Sequence, residues 1–442
     1  MNQNSKIAVF LLLFLPTCLP AAWRVVDTGQ SRFYNDFEEI ERPLEGQDFF
    51  GQDAQYSGYQ SAYQDNGDGT VSDLNTGLMW SQAVGPDKLS LEEARAEAEV
   101  LELGGYSDWR VPNIKELYSL IDFRGRTGMM TRGSSMSEVP PDAIPFINTD
   151  YFDFRYGSSE DGERYIDAQW LTDTEYEPGT MGGEDTLFGV NFADGRIKGY
   201  GYGRRGGREK KFFVRYVRGI GDYGVNQFED NGDGTVTDTA TGLMWSQRDS
   251  GKGLDWKGAL EMAEESEFAG YSDWRLPNAK ELQSIVDYER SPDTTDSAAI
   301  DPVFFTTTIN NEEGVKDYPY FWTSTTHDDG PNAGQAVYVS FGRAIGEMRG
   351  RVLDVHGAGA QRSDPKTGEP RLGHGPQGDA QRVENFVRLV RGGEVTELPS
   401  SSSDFLREES YPHTIRVDGE GFVPAERVFR RPPPRRDGHG NK

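Results

Sequence analysis

Cysteine is nearly absent: Cys18 is the only one in 442 residues. It sits in a leader-like start, where Lys6 precedes an apolar run at 7–15 and Pro16, Thr17, Cys18, Leu19, Pro20, Ala21 and Ala22 follow. A positive start, a short apolar run and small residues form the pattern of a secretory signal peptide over 1–22. Export is therefore expected, to the periplasm, the cell surface or the medium. Lipidation of Cys18 is the alternative, and Pro16 and Thr17 suit it poorly. Once the leader is removed no thiol remains, which excludes disulfides, thiolate metal sites and cysteine nucleophiles.

Positive charge is also short. There are 46 Lys and Arg against 73 Asp and Glu, a net charge of −27. Contact with phosphates needs a basic surface, so nucleic acid is excluded as a general partner. The same deficit argues against anionic lipid and sulfated polysaccharide. No later apolar run is long enough to span a bilayer, so the chain is not expected to be transmembrane. No Gly-x-Ser-x-Gly elbow, HExxH or P-loop is present, and no enzymatic activity is expected.

What the chain has is turns and a duplication. It holds 53 Gly and 23 Pro, and its mean hydropathy is −0.69. DNGDGTVSDLNTGLMWSQ at 65–82 recurs as DNGDGTVTDTATGLMWSQ at 230–247, and GYSDWRVPNIKEL at 105–117 recurs as GYSDWRLPNAKEL at 270–282. Trp170-Leu171-Thr172 aligns with Trp322-Thr323-Ser324, and the 215–219 stretch with 388–392. A period this long means two domains in tandem, not a solenoid. The expected division is 63–220 and 221–393. An acidic arm at 23–62 leads in, and a tail at 394–442, largely disordered, follows.

Within each unit the dense Asp/Asn/Gly turn starts a strand hairpin. Ser90-Leu91-Glu92-Glu93 has the form of a capping box, and a second helix is predicted after Pro112-Asn113, with counterparts at 254–269 and after Asn278. Alternating strands such as 188–192 and 336–341 complete the unit, giving an α+β fold.

DNGDGTVxDxxTGLMW, GYSDWRxPNxKEL, the WTS element and a closing V-R-x-V-R-G together resemble a bacterial family, domain of unknown function 1566, named for the C-terminal domain of a collagen-like adhesin. The match covers about 63–393. The resemblance implies two tandem C-type-lectin-like domains and a secreted or cell-envelope role in recognition or adhesion, with an extracellular glycan or surface protein as partner. It also raises the formylglycine-generating type of enzyme, whose chemistry needs the cysteines this chain lacks. A non-catalytic structural envelope protein is the other alternative. The adhesin's Gly-x-y stalk is missing here.

Two sets of residues are candidates for binding. The first is Asp65, Asn66, Asp68 and Asp73 with Asp230, Asn231, Asp233 and Asp238, where calcium is the ion an acidic Gly-rich loop would suit. Asn66, Asp68 and Gly69 match the third, fifth and sixth positions of an EF-hand loop. However, Gln64 or Glu229 falls first, and Asn75 or Ala240 falls where a bidentate Glu belongs. A turn braced by its own Asp and Asn side chains is the favoured reading. The second set lies in the Gly/Pro-rich stretch 346–384: Asp354, His356, Gln361, Arg362, Asp364, His374, Gln377 and Asp379. This is read as a long loop that presents a ligand site. Trp80, Trp109, Trp245 and Trp274 read as core, and Arg204, Arg205, Arg208, Lys210 and Lys211 as a cationic patch.

Overall fold

The computed structural model describes residues 21–129, 135–203, 209–330 and 332–398, with the backbone of Thr414–Ile415 and Val423–Pro424. The leader with Cys18, the trio Arg204, Arg205 and Arg208, and most of the tail lie outside the described residues.

Both copies of the first motif build the same meander. Tyr63–Asp65, Thr70–Asp73 and Met79–Ser81 form it in the first repeat, and Phe228–Asp230, Thr235–Asp238 and Leu243–Ser246 in the second. Each repeat's last strand returns to the tryptophan strand, pairing Val217 with Trp80 and Val390 with Trp245. Beginning and end of a repeat thus meet in one antiparallel sheet, with Val71 and Trp80, or Val236 and Trp245, fully buried.

The second motif is a helix start. Asn113 and Asn278 cap the short helices α2 (Ile114–Tyr118) and α4 (Ala279–Ser284). Each Asn accepts the N3 amide at 2.9 Å, and the N3 carboxylate of Glu116 or Glu281 accepts the Asn amide at 2.9 Å. These capping boxes offset the unpaired amides of a helix's first turn. The same carboxylates take Arg110 and Arg275 in two-pronged ion pairs. Asp108 binds Arg218 at 2.6 and 3.1 Å, and Asp273 binds Arg391 in the same way. The motif is therefore stapled to the closing strand. The longer helices α1 (Leu91–Val100) and α3 (Trp256–Glu264) precede them, α1 opening on the Ser90–Glu93 capping box.

The repeats are not two beads. Gln169–Thr180, Glu184–Asn191 and Arg196–Gly201 join Gln361–Pro365, Gln335–Ser340 and Tyr320–His327 in one six-stranded sheet. The seam is the pairing of Ile197 with Gln361. Val190 pairs with Ile197, and Val339 with Gln361, so these two residues are equivalents and an approximate twofold axis passes between them. Strands outweigh the four α-helices of the described residues.

The sheet also corrects one alignment. The hydroxyls of Thr172 and Thr323 both bond the neighbouring strand, at Phe188 and Val337. Thr172 thus matches Thr323, and Trp170 takes the place of Phe321, not of Trp322. In a strand a one-residue slip reverses the face: Trp170 packs with α2 and α4, whereas Trp322 packs with α3.

One face of the sheet carries Phe188, Val190, Ile197, Phe321, Val337 and Val339, buried with α2 and α4 in a core that spans both repeats. On the other face, Leu171, Leu187 and Tyr200 pack with α1, and Tyr320, Trp322 and Tyr338 pack with α3. The lysines of the two KEL triplets tie the halves reciprocally. Lys115 Nζ donates to Ser284 O at 2.7 Å, on the last residue of α4, and also to Gly224 O and Asn226. Lys280 Nζ donates to Ser119 O and to Asp27 O, both at 2.9 Å. Burial lowers both amines to about 8. A cation on the carbonyl end of a helix is favourable, and each lysine supplies it to the other repeat's helix.

The arm at 23–62, read as a lead-in without period, runs between the repeats. Trp23 bonds Ala240 O and Val225 O, and Gln30 clamps the backbone of Thr326 at 2.8 and 2.9 Å. Thr28 and Thr325 both donate to the buried Asp53. Its polar side chains satisfy backbone and hydroxyl groups where apolar ones would pack, which is why no period shows. Thr396–Glu397, at the start of the tail region, pairs with Tyr56–Ser57 of the arm. In the tail, Thr414–Ile415 pairs with Val423–Pro424.

Replacing either lysine strands several buried acceptors. Lys115→Ala and Lys280→Ala are each expected to cost about 2–4 kcal/mol, with both repeats still melting in one calorimetric transition. Two separate transitions in the unaltered chain would contradict the shared sheet.

Candidate functional site

The stretch 346–384 is not a loop, and this corrects the sequence reading. Ile345–Met348 and Arg351–Asp354 form one hairpin, and Arg371–His374 and Asp379–Gln381 another. Between them Gln361–Pro365 enters the shared sheet. The two hairpins meet where Gly346 pairs with Asp379, giving a second sheet of four strands. Gly378 permits the approach: its φ is +69°, and a Cβ there would lie 1.9 Å from Glu347 O. The strands went unread because Arg351–Asp354 and Arg371–His374 are exposed or half-buried and Asp379 serves a buried polar pair, so apolar alternation is missing.

The second hairpin overhangs the seam and encloses a cleft of about 560 Å³. Arg196, Lys198 and Tyr200 from the first repeat and Tyr338, Arg362 and Asp364 from the second line it. His374, Gln377, Asp379 and Gln381 contribute from the hairpin, while Arg164, Asp167, Gln169, Asn191 and Lys210 contribute from the first repeat. Neither repeat makes the cleft alone.

Its charges are interlocked. Asp194 accepts Lys198 Nζ at 2.8 Å and lies 3.3 Å from Arg196, which also binds Asp329 and Ser363. Asp379 takes Arg362 on one oxygen and His356 Nε2, at 2.8 Å, on the other. Burial pushes the Asp379 carboxyl up, but Arg362 and His356 outweigh it and hold the group well below the usual range. Burial lowers Lys198 to about 8 against the pull of Asp194. Burial, helped by Arg362, lowers His356 to about 4, so this imidazole is neutral near pH 7. Burial raises Asp364 to about 6 although Asn385 and the Arg382 amide donate to it.

The eight residues expected in the stretch divide by position. Arg362, Asp364, His374, Gln377 and Asp379 line the cleft. His356 and Gln361 are buried beneath it, His356 bracing Asp379. Asp354 is not brought to it: its carboxylate accepts Tyr176 Oη at 2.9 Å and the Gly357 amide at 2.8 Å, in a separate cleft beside the first hairpin. Asp194, Arg196 and Lys198 were missed. Their signal was slight: Asp194, Arg196 and Lys198 alternate with Gly195, Ile197 and Gly199, so only Ile197 marks an apolar face.

The eight residues of the acidic loops brace their own turns, and Asp238 also takes Asn226 and the Gln227 amide of the linker. Asp65 and Asp230 each accept a glycine amide at 2.8 Å and a glutamine side chain. Asp68 and Asp233 cap Thr70 and Thr235, while Asn66 and Asn231 donate to the threonine hydroxyl of the same turn at 2.9 and 2.8 Å. Asp73 and Asp238 accept amides past the strand end. Gly67, Gly69, Gly232 and Gly234 adopt positive φ. These are Asx turns, and among the described residues no group of three or more His, Cys, Asp or Glu is arranged to hold a metal ion. Trp80, Trp109, Trp245 and Trp274 are buried. From the cationic stretch, Lys210 lies over the Tyr200 ring and Lys211 pairs with Glu93.

Asp354 gives a pH test. Burial raises it to about 7 from 3.8, so the folded chain holds more protons than the unfolded one between those values and stability falls as pH rises through that window. Asp354→Asn removes the buried charge, so relative to the unaltered chain it should gain about 1–3 kcal/mol between pH 5 and pH 8. Denaturant titrations at the two pH values check this, and a variant equally offset at both would contradict it.

No helix among the described residues is long and apolar enough to cross a membrane. No curated protein and no solved structure matches the chain. The family model of the Lcl C-terminal domain matches it twice, over 69–218 and 234–354, more than half its length. The second match stops at the end of the first extra hairpin. The chain belongs to the Lcl C-terminal domain family and carries that domain twice.

Proposed function

We propose that this is an exported recognition or adhesion protein that binds a carbohydrate in the cleft between its repeats. The observation that carries the reading is the cleft's mixed polar lining, drawn from both repeats: Asp194 and Asp364 bring acceptors, and Arg196, Lys198 and Arg362 bring donors. A sugar hydroxyl, which both donates and accepts, suits such a mixed set. The amides of Gln169, Asn191, Gln335, Gln377 and Gln381 add planar recognition groups on the cleft wall.

The order of hairpin, two helices and strands in each repeat suits a C-type-lectin-like unit, and the second repeat's excursion is where such a fold would present its ligand. Here that excursion and the neighbouring strand Gln335–Ser340 supply one side of the cleft, and the first repeat supplies the other. Export rests on the leader at 1–22, and the membership of an adhesin-named family supports a place at the cell surface.

A glycan array run with and without EDTA tests the reading. A retained sugar should bind in both conditions, and Gln169→Ala and Gln377→Ala, one from each repeat, should each weaken it about 10-fold, or ~1.4 kcal/mol. Binding abolished by EDTA, or indifferent to both substitutions, would overturn the assignment to this cleft.

A further inference from the structure

The approximate twofold axis relates two grooves, and only one is filled. The filled groove lies where the arm crosses α4. There Lys280 holds Asp27 O, Thr325 holds Asp53, Gln30 clamps Thr326, and the Phe123 amide donates to Thr28 O at 2.9 Å. The arm fits closely, since a Cβ on Gly29 would lie 3.0 Å from Asp122 Oδ1.

Each of these receptor residues has a mate. The 165-residue offset takes Lys280 to Lys115, Asp122 to Asp287 and Phe123 to Tyr288. The threonine match takes Thr325 and Thr326 to Thr174 and Glu175, at the far end of a bulge that both edge strands share. Lys115, Thr174, Glu175, Asp287 and Tyr288 line an open cleft of about 560 Å³. Gly224 and Asn226 take only its lysine end. Among the described residues the Tyr288 amide, mate of the one that holds Thr28, has no acceptor. This cleft also lies at an edge strand of the shared sheet, where a further extended segment can add.

We propose that this second groove receives an extended cationic segment of polypeptide, and that the chain's own residues 425–442 supply it. The groove's neighbours set the charge. Asp173 and Glu175 already pair with Arg95, but Asp287, Glu289 and Asp301 make no ion pair among the described residues. In a chain of net charge −27, residues 425–442 hold Arg427, Arg430, Arg431, Arg435, Arg436 and Lys442 against Glu426 and Asp437. Pro432, Pro433 and Pro434 favour an extended backbone. With Thr414–Ile415 paired to Val423–Pro424, residues 399–413 are the free span, roughly 50 Å when extended, and they set the reach of the segment. The inference is independent of the carbohydrate reading.

The test uses the full chain and a synthetic peptide of residues 425–442, followed by fluorescence anisotropy. A chain carrying R430E, R431E, R435E and R436E should bind the peptide, whereas the unaltered chain, its groove already filled, should bind at least 10-fold more weakly. Adding E289K to the substituted chain should reduce binding at least 10-fold. Hydrogen exchange supplies a readout that does not depend on the peptide: the Tyr288 amide should be slower in the unaltered chain than in the tail-substituted one. Equal binding by both chains, no binding by either, indifference to E289K, or equal Tyr288 exchange would overturn the proposal. A concentration-dependent dimer of the unaltered chain that the tail substitutions abolish would assign the segment to a second copy and overturn the intramolecular form.

Discussion

Two buried ammonium groups hold this architecture together. Lys115 and Lys280 occupy the same place in the duplicated motif, and each reaches past the axis to a backbone carbonyl at the far helix's end. A lysine removed from water loses much of its hydration and must find several acceptors in return. Those acceptors come from the opposite repeat, from the linker at Gly224 and Asn226, and from the arm at Asp27. The amines are therefore satisfied only when both repeats, linker and arm are in place together. That constraint explains why the arm is ordered although it has no apolar period, and why a tandem duplication became one sheet with one spanning core.

The seam then becomes useful. An axis through Ile197 and Gln361 brings two copies of the same strand side by side, yet the chain has let them diverge. The first copy carries Arg196 and Lys198, and the second carries Arg362 and Asp364. Hairpins added on either side of the second strand make the surroundings unequal and roof the cleft on one side only. Five cations and five aspartates line it, in a chain where carboxylates greatly outnumber cations. Most are committed to one another, so the floor is rigid and the few uncommitted atoms are fixed in direction.

The sequence disclosed whatever depended on local chemistry. Ser90, Asn113 and Asn278 announced helix starts because a cap needs one side chain at a fixed offset, and the Asx turns at Asp65 and Asp230 were readable for the same reason. The duplication and the buried tryptophans were equally plain. What escaped were relations across the axis. Nothing near Lys115 names Ser284 as its partner, and Asp108 turned to Arg218, over a hundred residues away, when Arg110 stood two positions along. The strands of 346–384 were hidden because Asp379 is taken up by His356 and Arg362, and Asp364 by Asn385 and the Arg382 amide, so polar residues occupy places where a strand usually shows its apolar face. Candidates at 362–379 fell on one wall of the cleft, but its other half lay on strands chosen by topology.

Native-state hydrogen exchange at the backbone amides of Ile197 and Gln361 tests the central claim most directly. If the repeats form one cooperative body through the reciprocal lysines and the shared sheet, these amides exchange only by global unfolding, at the same free energy as amides in the Trp80 and Trp245 strands. Exchange at the seam through a cheaper opening, with both tryptophan strands still protected, would show two domains merely in contact and contradict the account.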